Sequence, residues 1–156
     1  MSDKIHHYEI RILWTGAADG GFDYKTYPRA HEIKLLPNGP TISASADPAY
    51  LGDPSRANPE QLLVAALSSC QMLSFLALAA RAGVVVTRYE DRAEGTMQIQ
   101  DRKVRITHVV LHPQIRLGAN TDREKAERLV HEAHELCFIA NSVRCEVAVK
   151  PEFAWR

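Results

Sequence analysis

The chain has 156 residues, a length that suits one domain with a sizeable core. Its 19 Lys and Arg balance 19 Asp and Glu, which leaves no net positive field of the kind that attracts nucleic acid. Hydrophobic residues make up 46% and charged residues 24%, an ordinary soluble mixture.

Residues 1–8 are mostly polar and lack an apolar leader core, so a secretory leader is not expected and a cytoplasmic location is. Tyr8, Ile10, Ile12 and Trp14 alternate with Glu9 and Arg11, the pattern of a half-buried strand. Gly16, Asp19, Gly20 and Gly21 predict the turn that follows. Residues 22–27 and 31–36 read as strands on either side of Pro28. Pro37, Asn38, Gly39 and Pro40 form a tight turn, because Asn-Gly favours positive φ and the prolines stop the strands. Residues 41–45 make a weaker strand, and residues 47–57 a loop.

A helix start follows. Asn58 caps the free N–H groups, Pro59 suits the first helical position, and Glu60 suits the dipole. The helix should run to Ala82 and stop at Gly83. Residues 61–80 carry no charge, roughly the ~20 residues a membrane span needs. Gln71, Ser68, Ser69 and Ser74, together with flanking strand-like segments, favour a buried central helix over a span, so no membrane partner is expected. Apolar nearly all round, the helix must be covered on several sides. Residues 84–100 and 104–117 read as two long strands about a turn near Asp101. Asn120 or Thr121 caps a charged helix over residues 122–136, and residues 143–149 alternate as a last strand. The order is strands, helix, two strands, helix, strand: an α+β chain, read as a single domain over residues 1–156.

The three cysteines are Cys70, Cys137 and Cys145, a sparse, odd set that argues against a secreted disulfide scaffold. Cys70 lies in mid-helix among leucines, where a thiol is either inert core or, beside a cation, reactive. No cation stands on its own helix between Gln61 and Ala80, so one must come from elsewhere; Arg29 and Arg56 are the upstream candidates. Glu60 precedes Cys70 by ten residues, about 15 Å along a helix axis, too far to touch it within one chain. A carboxylate beside a thiol would raise its pKa; its useful role is to hold a guanidinium, which then stabilises the thiolate. Glu60 is equally a common first-turn helix acid. Cys137 follows the second helix, as core or as a helix-end residue, and Cys145 falls on the apolar phase of the last strand. His131, His134 and Cys137 recur every third residue and could hold a metal with a fourth group, although the pattern is not His-Glu-x-x-His. The glycines of residues 16–21 match no phosphate-loop spacing, and no cofactor is expected.

Asn58–Pro59–Glu60–Gln61–Leu62, followed by an alanine-rich helix and Cys70, resembles the signature of the OsmC/Ohr family, the osmotically inducible and organic hydroperoxide resistance proteins. Cys137–Phe138–Ile139–Ala140–Asn141–Ser142 resembles the family's second cysteine segment, with Phe138 where proline is usual. The chain looks like a less-studied OsmC-like branch. The resemblance implies an intertwined homodimer with two active sites at its interface. It also implies thiol-dependent reduction of organic hydroperoxides, with a lipoyl-type dithiol as reductant. Carried over by motif, Cys70 is the peroxidatic cysteine, Cys137 the resolving cysteine and Glu60 the acid that orients an arginine. Arg29 is the first choice for that arginine and Arg56 the second. Leu67, Met72 and Phe75 are the expected apolar walls of the site. The alternatives are a non-enzymatic binder of a small hydrophobic ligand at the dimer interface and a His/Cys metal-binding protein.

Overall fold

The structure is a computed structural model that describes residues 4–16 and 22–155; the turn expected at Asp19, Gly20 and Gly21 lies outside them. The chain divides into two compact units, Met1–Leu62 and Leu63–Arg156, with the boundary inside the first helix.

The first unit is an antiparallel sheet of β1 (Ile10–Leu13), β2 (His31–Leu35) and β3 (Thr41–Ala44), in the order β1-β2-β3. Every residue of β1 is exposed, so its alternation does not mark the half-buried strand expected. Residues 22–27 are not a strand. The Asp23 carboxylate accepts the Lys25 N–H at 2.9 Å, and the Asp23 carbonyl accepts the N–H groups of Thr26 and Tyr27. Local bonds of this kind compete with a sheet ladder, and here they fold the segment into a turn. Beyond β3, Ser45 N–H donates to the Ala57 carbonyl at 2.9 Å, which carries the chain into the helix start. There Asn58 Oδ1 accepts the Gln61 N–H at 2.8 Å, and Gln61 Oε1 accepts the Asn58 N–H at 3.1 Å. This reciprocal box satisfies two donors that the first helical turn leaves free.

The helix α1 runs Pro59–Arg81. It is long and apolar enough to cross a membrane. Its buried residues, Leu67, Gln71, Phe75 and Ala79, recur every fourth position and form one stripe. The covering on several sides that the sequence called for is therefore not seen within this single chain, and Leu73 is exposed.

In the second unit the two long strands expected are four. β4 (Val86–Asp91) and β5 (Glu94–Gln100) are separated by a break, as are β6 (Lys103–Leu111) and β7 (Pro113–Leu117). Asp101 and Arg102, both at positive φ, make the two-residue turn between β5 and β6, a geometry that suits the right-handed twist of a hairpin. After the helix α2 (Arg123–Glu135) come β8 (Glu146–Val149) and β9 (Glu152–Trp155); the last was not anticipated. β8 pairs in parallel with β6, and β9 with β7, giving sheets of order β5-β6-β8 and β4-β7-β9. Parallel neighbours need a crossover, and α2 supplies it.

The breaks occur where the hairpin passes from one sheet to the other. Pro113 has no N–H to offer a ladder. The N–H of His112 donates instead to Asp91 Oδ1 at 2.7 Å, while Asp91 Oδ2 accepts the hydroxyl of Ser68 on α1. One carboxylate thus fixes the bend and ties it to the helix. Gly95 lies beside the same helix: a Cβ there would stand 2.7 Å from Val64 Cγ2. On one side of the bend Leu67 packs with Val109 and Leu111; on the other Phe75 and Ala79 pack with Ile115, Leu117, Ala126, Val130 and Ala133.

Replacing Asp91 by Ala leaves the Ser68 hydroxyl and the His112 N–H without their acceptor. The expected loss is about 2 kcal/mol of unfolding free energy, read from the urea midpoint at unchanged m.

A buried thiol beside a half-buried thiol

Cys70 is half-buried on α1 and Cys137 is fully buried just past the C-terminal end of α2, both in the second unit. Several bonds hold the Cys137 segment. Cys137 N–H donates to the His134 carbonyl at 3.2 Å, and its own carbonyl accepts the Asn141 N–H at 3.0 Å. The Asn141 side chain donates to the Glu135 carbonyl at 2.9 Å, one of the orphan acceptors at the helix end. The Ser142 hydroxyl donates to the Phe138 carbonyl at 2.7 Å, with the Phe138 ring directed to solvent. The Ala140 N–H points at Cys137 Sγ, 3.5 Å away.

Cys70 is among the groups that act on the titration of Cys137. Burial pushes the Cys137 thiol above its ordinary pKa. The N–H of Ala140 opposes that shift, and the neighbouring Cys70 sulfur adds to it. Cys137 therefore keeps its proton at neutral pH.

The other candidate residues lie in the first unit. Arg29 is wrapped by its own turn: its two Nη groups donate to the carbonyls of Tyr27 and Tyr24. Its guanidinium carbon sits 3.8 Å from the centroid of the Tyr27 ring. The backbone around it is pinned as well, by Trp14 Nε1 donating to the Pro28 carbonyl at 2.7 Å and by His31 Nδ1, 2.9 Å from the Arg29 carbonyl. Among the described residues Arg29 Nε is buried without a partner, and so is Glu60 Oε2. Among the described residues no ion pair joins the two. Arg56 differs, since its guanidinium is paired with Asp53 at 3.2 Å and also donates to Ser43. Of the two arginines, Arg29 is the one whose charge no carboxylate matches among the described residues. A cavity of about 590 Å³ opens in this unit beside Arg29 and His31, lined by Ile12, Trp14, Phe22 and Tyr27.

Other expectations need correction. Leu67 and Phe75 are sealed in the core and cannot wall an open site; only Met72 of that trio stays half-buried. No three His, Cys, Asp or Glu side chains among the described residues converge as a metal site, so His131, His134 and Cys137 do not form one. The aromatic collar of Arg29 was missed, although Tyr24, Tyr27 and Pro28 stand within five residues of it. Cys145 packs at the margin of the Leu67 cluster, in line with its core phase.

A family model described as OsmC-like protein matches residues 52–152. The chain belongs to the OsmC-like family. A solved OsmC-like protein of unknown function from Vibrio cholerae O1 is 35% identical, with 95% of this chain and 100% of that one covered and a TM-score of 0.89. An organic hydroperoxide resistance protein from Legionella pneumophila is 19% identical over 97% and 98% of the two chains, with a TM-score of 0.70. The organic hydroperoxide resistance protein OhrB of Bacillus subtilis is 21% identical over 96% and 98%, with a TM-score of 0.61. At these identities the last two show a common fold.

The raised Cys137 pKa has a consequence for stability. The fold favours the neutral thiol, so this contribution is complete below the unfolded value of ~8.5 and is lost as pH rises through the native one. Urea midpoints at pH 7.5 and 9.5 should therefore fall less in Cys137→Ala than in the parent protein.

Proposed function

We propose that the protein is a thiol peroxidase that reduces organic hydroperoxides. The observation that carries the reading is the contrast between a half-buried thiol on α1 and a buried one just past α2 whose pKa is raised. Cys70 is the attacking sulfur. Its thiolate displaces an alkoxide from the O–O bond and becomes a sulfenic acid, and the alkoxide leaves as the alcohol after protonation. Cys137 then attacks that sulfur. A Cys70–Cys137 disulfide forms, water departs, and an external dithiol, of lipoyl type, returns both thiols by exchange.

Arg29 supplies the positive charge that favours the thiolate and the departing oxygen, and Glu60 orients it. In support, the first unit holds two complementary orphans, a guanidinium N–H without an acceptor and a carboxylate oxygen without a donor. The apolar cavity beside Arg29 suits the organic part of a hydroperoxide better than it suits hydrogen peroxide. The working form is a homodimer. Exposed Ile10 and Ile12 in the first unit, and Leu73, Ile99 and Val104 in the second, are apolar surface that a second copy would cover. A cycle that needs reduced cysteines fits the cytoplasm.

Turnover of cumene hydroperoxide with dihydrolipoamide, set against thioredoxin and glutathione as reductants, tests the scheme. Cys70→Ser should be inactive, and undiminished activity in that variant removes the reading. Cys137→Ser should consume one equivalent of peroxide and stop. Arg29→Lys should lower kcat/KM by about 100-fold, the scale of losing one preorganised donor at a developing negative charge.

A further inference from the structure

Gln71 is the one polar residue in the buried stripe of α1, and it is 1% exposed. Leu67 lies one turn before it and Phe75 one turn after, each at the heart of a separate apolar cluster. Its Nε2 donates to the Val130 carbonyl of α2 at 3.0 Å. Its Oε1 is buried without a donor. A leucine would fill the place at little change in volume and would leave no orphan. Nor would it strand Val130, whose carbonyl has a second lone pair for its own helix. The glutamine is thus a poor choice for stability, because a buried acceptor without a partner costs about 1–3 kcal/mol.

What the amide adds is direction. Apolar packing between helices tolerates sliding and rotation, whereas one hydrogen bond to one carbonyl selects a single register. That register matters here for covalent reasons. Cys70 is the chain neighbour of Gln71, and Cys137 lies seven residues past Val130, about two helical turns. A disulfide requires Cα atoms roughly 4.4–6.8 Å apart, a window narrower than the ~5.4 Å of one turn.

We propose that Gln71 is a positioning residue whose bond to the Val130 carbonyl sets the register of α1 against α2 and so governs how readily Cys70 and Cys137 reach bonding distance. The inference rests on the reading above only in taking those two cysteines as the reacting pair.

The test is the equilibrium of the Cys70–Cys137 disulfide with reduced and oxidised glutathione, measured in a Cys145→Ser background by mass spectrometry. Gln71→Leu is compared with its parent, and Gln71→Met serves as a second apolar variant should the first not fold. The effective concentration of one thiol at the other should fall by about tenfold or more, since small misplacements of reacting groups are costly. The urea midpoint should stay level or rise. Pairing in the apolar variants equal to that of the parent overturns the proposal. So does a loss of pairing that merely follows a loss of stability. Hydroperoxide turnover is read separately: a parent that equilibrates with glutathione yet consumes no peroxide defeats the peroxidase and leaves the role of Gln71 standing.

Discussion

Two thiols can join only if the backbone on both sides brings their sulfurs within a few ångströms, and here the two cysteines are carried by helices of unlike character. α1 is apolar and carries Cys70 along its length; α2 is strongly charged and delivers Cys137 only after it has ended. The cluster of Phe75, Ala79, Val130 and Ala133 presses the helices together, and Asp91 ties α1 to the bend of the sheet. Asn141 holds the end of α2, so that the chain turns inward at Cys137 rather than fraying.

Burial on this scale divides the chemistry between the sulfurs. A buried thiol resists ionisation, and a second sulfur beside it strengthens that resistance. A buried, protonated thiol is a weak nucleophile, whereas the half-buried Cys70 is partly accessible to solutes. The same asymmetry shields the buried member from the irreversible steps of the oxidation ladder.

Parts of this were legible in the residues. The start of α1 could be read from Asn58, Pro59 and Glu60, because capping is a local matter, and the box with Gln61 was equally available from the three-residue spacing. Asp53, three residues ahead of Arg56, was a readable sign that this arginine is already matched. The bends between β4 and β5 and between β6 and β7 were not legible, since alternation continues through a place where a strand changes sheets. The strand expected over residues 22–27 failed because Asp23 offers its own backbone a closer acceptor than any ladder. The link between Cys70 and Cys137 came only through the family resemblance. Sixty-odd residues separate them in sequence, and no periodicity spans that gap. Gln71 was invisible for a different reason: a polar residue in an apolar run says nothing about which way it faces.

The parallel pairing of β8 with β6 and of β9 with β7 has a bearing on how the molecule comes into being. During synthesis the hairpin of β4 to β7 can assemble as soon as it emerges, but neither sheet of this unit gains its third strand until β8 and β9 have left the ribosome. Long-range pairings of this kind form late and slowly. Cys70 is therefore synthesised well before the strands that complete the sheets of its unit, whereas Cys137 and Cys145 emerge shortly ahead of them.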